Sequence, residues 1–320
     1  MKLLGIDTSN YTTSCAWLDT ETDQLFQRKQ LLPVPEGHAG LRQSDAVFHH
    51  TRQLPALMEQ LAEDVGGALH PDAIGVSTAP RSAPDSYMPC FLAGHGTARI
   101  LAASMGVPLF ETSHQMGHIL AALYSAGCLS WLMPDAPPFL AFHVSGGTTD
   151  CVRCIPDETQ ILRIEPVSES LDLKAGQAVD RVGLMLGLQF PCGQALEQLA
   201  MQSGSTAHMP VKLKDGCCSL SGLQNQCEQM LHKQIPHADI AAYCLNSIAA
   251  VLKKMTLYAA KQFGNPAVIY AGGVLSDRLI QNQLAKLPLK TAFAEPAFSC
   301  DNAAGIAVYA AQRKEQLCRS

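Results

Sequence analysis

Two histidines four apart, His114 and His118 in His114-Gln115-Met116-Gly117-His118, are the residues whose spacing could do metal chemistry. On a helix both rings project from one face, a spacing that suits two imidazole ligands on one ion. With 11 histidines in 320 residues such a pair also arises readily by chance, so a structural or exposed role stays open. A second group is Val144-Ser145-Gly146-Gly147-Thr148-Thr149. Adjacent glycines let the backbone approach a ligand, and its N–H groups with the hydroxyls of Ser145, Thr148 and Thr149 could cradle a phosphate or carboxylate. The same residues also read as a plain hairpin turn. Asp7, at the end of an apolar strand, could hold a cation or a water near a phosphate. Cys151 and Cys154 form a single C-x-x-C with no second pair, so a zinc or redox role is weakly supported.

The elements that must position these groups repeat a pattern. Leu3-Leu4-Gly5-Ile6-Asp7-Thr8-Ser9 leads through a hydroxyl-rich turn into a returning strand, Thr12 to Leu18. Phe139 to Val144, Ser-Gly-Gly and Cys151-Val152 do the same. Val268 to Ala271, Gly272-Gly273 and a following helix, whose N-terminus would favour an anion, make a third unit. Ser44 to Gly66 reads as a helix with Leu54, Leu57, Leu61 and Val65 on one face and Pro55 dividing it; His49 and His50 read as surface residues. Leu171 to Leu188 reads as a helix carrying Asp180, and Ala238 to Gln262 as a long amphipathic helix. Two strand-turn-strand units followed by strand-Gly-Gly-helix is the layout of the actin, sugar kinase and heat-shock ATPase superfamily. The expected fold is therefore α/β, with two similar domains clamping a nucleotide and metal cleft. The expected division is residues 1–112 with a C-terminal helix, 303–320, in one domain and 113–302 in the other.

Composition bounds the reading. Hydrophobic content of 47% and charged content of 16% describe an ordered chain long enough for two domains. A net charge of −5 argues against strong independent nucleic-acid binding. The apolar runs break before a membrane-spanning length, and Asp7 comes too early for a signal peptide, so no membrane and a cytoplasmic location are expected. The twelve cysteines then read as reduced thiols.

Taken together the motifs resemble one family, the tRNA threonylcarbamoyladenosine transferases, once described as O-sialoglycoprotein endopeptidases or glycoproteases. The resemblance covers nearly the whole chain in order: Gly5-Ile6-Asp7-Thr8-Ser9, the histidine pair, Val144-Ser145-Gly146-Gly147, and Asp180-Arg181-Val182 through Gly193 to Glu197. It continues with Leu220-Ser221-Gly222-Leu223, Ala271 to Val274, and Ser299-Cys300-Asp301-Asn302. It implies that His114, His118 and Asp301 hold one divalent metal, iron or zinc. It implies that His143, Val144, Ser145, Gly146, Gly147, Asp180, Gly193, Glu197 and Asp277 line a site for an adenine nucleotide or threonylcarbamoyl-adenylate. The implied reaction passes the threonylcarbamoyl group to the adenosine following the anticodon of ANN-decoding tRNA. The implied partners are tRNA, reached through partner proteins, and a related actin-like ATPase-fold subunit.

This chain departs from the family where an acidic pair follows the first Thr-Ser turn: Tyr11 and Thr12 stand there. Asp7 is left as the nearby carboxylate that could serve catalysis. Thr148 replaces a histidine after the glycines, Asp277 replaces an asparagine, and Arg81 to Pro89 replaces a glycine-rich stretch. These departures leave a second reading, a non-catalytic nucleotide- and metal-binding paralogue that regulates or pairs with a related subunit. A metallopeptidase is disfavoured because H-E-x-x-H is absent.

Overall fold

The computed structural model describes residues 1–9, 11–33, 41–83, 85–300 and 303–319. The backbone clusters into two units, one of residues 1–134, 157–162 and 301–320, the other of 135–156 and 163–300.

The first unit opens with three strands, β1 (Lys2–Ser9), β2 (Thr12–Asp19) and β3 (Gln24–Leu31). Helix α1 (Gln43–Val65), β4 (Ala73–Ala79), α2 (Phe91–Met105), β5 (Leu109–Ser113) and α3 (His114–Ser125) follow. The sheet order is β3-β2-β1-β4-β5. β1 runs antiparallel to β2 and parallel to β4, with Asp7 opposite Ser14 and Gly5 opposite Gly75. β1 is apolar and buried along almost its whole length because helices cover both faces of a central strand. β3, at the edge, is polar, and its Arg28 pairs in fork geometry with Asp64 of α1. Leu54, Leu57 and Leu61 of α1 pack on Leu4, Ile6 and Trp17. Pro55 lies inside α1 and does not divide it, and the helix ends at Gly66 in the left-handed region.

The second unit holds β6 (Phe139–Val144), β7 (Thr149–Asp157), β8 (Ile161–Glu169), α4 (Ala175–Met185) and α5 (Gly193–Ala200). It continues with α6 (Ser221–His232), α7 (His237–Gln262), β9 (Val268–Ala271), α8 (Arg278–Leu284) and β10 (Thr291–Phe293). Its sheet order, β10-β9-β6-β7-β8, is the first unit's order strand for strand. β6 pairs antiparallel with β7 and parallel with β9, as β1 does with β2 and β4. By length and composition α7 could cross a bilayer, but its apolar residues Ile240, Leu245, Ile248, Leu252 and Met255 are buried in the second core.

Helix α9 (Ala304–Arg319) closes the first unit. That unit runs to Pro134 and does not end at residue 112, because α3 lies on α9. The approach is close enough that a Cβ on Gly305 would stand 1.8 Å from the Gly117 carbonyl oxygen of α3. The α3 histidines are thereby carried by the first unit, not the second.

Candidate functional site

Ser113 ends β5 and caps α3, its hydroxyl accepting the Met116 N–H at 3.2 Å. The cap starts the helix at His114 and places His118 one turn further on the same face. The two rings lie 4.2 Å apart at 75°, with their Nε2 atoms 2.8 Å from each other. His114 Nδ1 lies 3.0 Å from Asp7 Oδ2. Asp7 is completely buried; it also accepts the Ser9 hydroxyl at 2.8 Å on Oδ2 and the Ser77 hydroxyl on Oδ1. An ionised carboxylate only accepts, so these partners assign the proton to His114 Nδ1 and leave a lone pair on Nε2. That lone pair faces His118 Nε2. The arrangement is filled either by one shared proton or by a cation that both rings ligate.

Among the described residues no group of three His, Cys, Asp or Glu side chains forms a complete metal shell. The donor set nevertheless fits an ion: two imidazole nitrogens converge, and a buried carboxylate orients one ring from behind, as it does at zinc sites. Asp301, the third expected ligand, lies outside the described residues. Asp7, the expected catalytic carboxylate, has a structural part beside the histidines. Its oxygens are engaged by His114, Ser9 and Ser77 and the residue is completely buried, so it positions His114. Thr12 is buried and Tyr11 exposed at the turn where acids were expected.

His50 departs from its expected surface role. It is fully buried, with Nδ1 2.8 Å from Thr13 Oγ1. Thr13 donates to Gln53 Oε1 at 2.6 Å, so the imidazole donates to Thr13. Burial holds the His50 pKa down to about 4. The signal was present in α1: Ala46, His50, Leu54, Leu57 and Leu61 form one stripe at helical spacing.

In the second unit the Ser145-Gly146-Gly147 turn closes β6 onto β7, with Ser145 N–H donating to the Thr148 carbonyl at 2.9 Å. Both glycines are exposed. The turn uses much of its own polarity: Ser145 Oγ accepts the Gly147 and Thr148 amides, each at 3.2 Å. Thr149 is corrected out of the cradle. It is buried, accepts the Ala175 amide at 2.8 Å, and so pins the start of α4 to the hairpin. Helix α4 presses on the turn at Gly176, where a Cβ would meet the Gly146 nitrogen at 2.5 Å. His143 lies at the end of β6 with Nδ1 3.1 Å from Thr148 Oγ1, and Val144 is fully buried.

Asp180 on α4 accepts the Cys192 amide at 2.9 Å, which brings it beside Gly193 at the start of α5. Glu197 on α5 accepts the Arg278 amide at 2.9 Å, which brings it to Asp277. Asp277 does not point at open space. It is buried and caps α8 by accepting the Ile280 amide at 3.0 Å. Burial raises its pKa to about 6 despite that bond, and the nearby Glu197 adds to the rise. The expected helix at Gly272-Gly273 starts only after a 3-10 turn, Gly273–Ser276. Asp172, which sequence reasoning missed, accepts the amides of Leu173, Leu220 and Ser221 and the Ser221 hydroxyl, which lowers its pKa although burial opposes this. It fixes the start of α6. Cys151 and Cys154 are completely buried free thiols whose pKa values burial raises, so neither is poised for metal or redox chemistry.

Solved structures share this architecture. HypF from T. kodakarensis superposes with a TM-score of 0.61 at 12% identity, covering 99% of this chain and 48% of that one. A ROK family glucokinase from Streptomyces griseus, in complex with glucose and AMPPNP, gives 0.51 at 12% identity, covering 98% of this chain and all of that one. The fold is that of the actin, sugar kinase and heat-shock ATPase superfamily. In sequence, a tRNA N6-adenosine threonylcarbamoyltransferase of Thermus thermophilus is 29% identical over 99% of this chain and 94% of its own length. That of Variovorax paradoxus is 30% identical over 98% of this chain and 90% of its own. The family profile of TsaD, tRNA N6-adenosine threonylcarbamoyltransferase, matches residues 36–308. With a histidine pair backed by a buried aspartate in one unit and a Ser-Gly-Gly turn in the other, the chain belongs to the tRNA N6-adenosine threonylcarbamoyltransferase family.

Proposed function

We propose that the chain transfers a threonylcarbamoyl group from threonylcarbamoyl-adenylate to the adenosine following the anticodon of ANN-decoding tRNA, in a metal-dependent reaction. The observation that carries the metal dependence is the convergence of His114 and His118 Nε2 atoms at 2.8 Å with Asp7 on the far side of the His114 ring. His114, His118 and Asp301 would hold a divalent ion, iron or zinc. Such an ion supplies Lewis-acid stabilisation of developing charge and a template for the acyl donor.

The chain's own residues do the remaining work. Asp7 fixes the His114 tautomer so that Nε2 is the donor atom. The exposed Gly146 and Gly147 leave room for an adenylate phosphate to approach the backbone, since a Cβ on either would meet nothing within 4 Å. Asp180 beside Gly193, and Glu197 beside Asp277, offer carboxylates suited to sugar hydroxyls, while Asp277 holds the start of α8. The net charge of −5 supports delivery of tRNA with partner proteins, a related actin-like ATPase-fold subunit among them.

Modification of an unmodified ANN-decoding tRNA, with threonine, bicarbonate, ATP and the other pathway enzymes present and this chain the sole transferase, should yield threonylcarbamoyladenosine above the no-enzyme control. A second reading, the non-catalytic paralogue, is favoured by Tyr11 and Thr12 in place of acids and by the burial of Asp7. Absence of product from protein that binds adenine nucleotide and metal would select it.

A further inference from the structure

The β6–β7 hairpin carries a chain of hydroxyls that ends on an imidazole. Ser145 Oγ accepts two amide N–H groups, from Gly147 and Thr148. Both lone pairs are then used, so the hydrogen bond between Ser145 Oγ and Thr148 Oγ1, 3.1 Å, has Ser145 as donor. Thr148 Oγ1 accepts there and lies 3.1 Å from His143 Nδ1, so its own proton can be given to that nitrogen. That direction requires neutral His143 with its proton on Nε2. Asp150 is the register partner of His143 across the two strands, which puts both side chains on one face of the sheet. The turn does not need this chain to close, because Ser145 N–H to the Thr148 carbonyl already closes it. A hydroxyl and a base are the parts of an activated hydroxyl site, here with Thr148 inserted as a link and a carboxylate on the same face of the sheet.

We propose that Ser145, Thr148 and His143 form a proton relay that takes the proton of the attacking amine in the transfer reaction; this rests on the transferase reading above. As the amine nitrogen bonds to the carbamoyl carbon, the bond from that carbon to the adenylate phosphate oxygen breaks, and AMP leaves with its electron pair. The Thr148 proton moves to His143 Nδ1 and the Ser145 proton to Thr148 Oγ1. Ser145 Oγ, held by the two amides as an oxyanion is held, takes the surplus amine proton on its remaining lone pair. The products are the N-acylated adenosine, AMP and a His143 imidazolium facing Asp150; the imidazolium returns its proton to solvent. The relay supplies a route that Tyr11 and Thr12 cannot, since neither is a carboxylate.

Two measurements on the full chain test this. Nitrogen-15 NMR of histidine-labelled protein should show His143 protonated at Nε2 with Nδ1 accepting, and Thr148→Val should remove that accepted bond. In single turnover with the pathway enzymes, His143→Ala should lower the transfer rate by about 10²–10⁴-fold, with partial rescue by added imidazole. Thr148→Val should fall as far, and Thr148→Ser should keep most of the rate. His143→Gln, which retains a hydrogen-bonding group without the basicity, serves if the alanine variant does not fold. A proton on Nδ1, or a His143→Gln rate within a few-fold of wild type, overturns the relay. Wild-type protein that transfers nothing overturns the transferase reading instead, and the His143 tautomer then decides the hydrogen-bond direction by itself.

Discussion

Asp7 and the two histidines show how a residue's meaning depends on which atom it offers. Asp7 has no oxygen facing solvent, and its bond to His114 Nδ1 leaves Nε2 as the donor atom. Protein purified without chelator should carry near-stoichiometric divalent metal by elemental analysis, and His114→Ala combined with His118→Ala should abolish it. Asp7→Asn keeps the shape but offers an amide where the carboxylate was, and the loss of such an orienting partner typically weakens metal affinity by about 10–100-fold. Metal content that survives the double histidine change would refute the ligand assignment. An unchanged affinity in Asp7→Asn would refute the orienting role.

At the scale of elements, α3 and α9 lie in backbone contact, and that contact sets where the histidine pair stands. Gly305→Ala would set a Cβ 1.8 Å from the Gly117 carbonyl and 2.7 Å from the Ala121 nitrogen. Alanine favours a helix interior over glycine by up to about 1 kcal/mol, but overpacking a tight contact costs about 1–3 kcal/mol. The clash therefore wins, and calorimetry should show a lower melting temperature for Gly305→Ala. Gly96, on the exposed face of α2, meets nothing within 4 Å, so Gly96→Ala should raise stability by a few tenths to about 1 kcal/mol. Equal behaviour of the two variants would show that the α3–α9 contact is looser than described.

At the scale of the whole molecule, the two units should respond to acid in opposite directions. His50 in the first unit is neutral when folded down to about pH 4, against an ordinary value of 6.5. Between those values the unfolded chain binds the extra proton, so the first unit loses stability as pH falls from 6.5 toward 4, by roughly 2–3 kcal/mol. Asp277 in the second unit has its pKa raised from 3.8 to about 6. There the folded state binds the extra proton, so the second unit gains stability as pH falls from 6 toward 3.8. Scanning calorimetry from pH 7 to 4.5 should show the two contributions diverge. His50→Gln should flatten the first, and Asp277→Asn the second. A single transition insensitive to both substitutions would contradict the assignment.

By itself the sequence determined the alternation of strands and glycine turns, the histidine pair on one helical face, and the order of motifs that names the family, because these are local patterns of period and spacing. Helix α1 and strands β1, β6 and β9 follow from such patterns, and Ser113 announces the start of α3 one residue before His114. Contacts distant in the chain were decided only by the tertiary structure. Asp7 reaches His114 across 107 residues and Ser77 across 70, which gives that carboxylate an orienting part its own hairpin does not reveal. Thr149 reaches Ala175, and Asp172 reaches Leu220, through bonds that no spacing encodes. His143 and Thr148 are five apart in sequence, yet only the hairpin register, which sets Val144 against Thr149, brings the imidazole to the hydroxyl. A hydrogen bond needs atoms within about 3 Å of each other, and among residues far apart in a chain only the packed fold sets that distance.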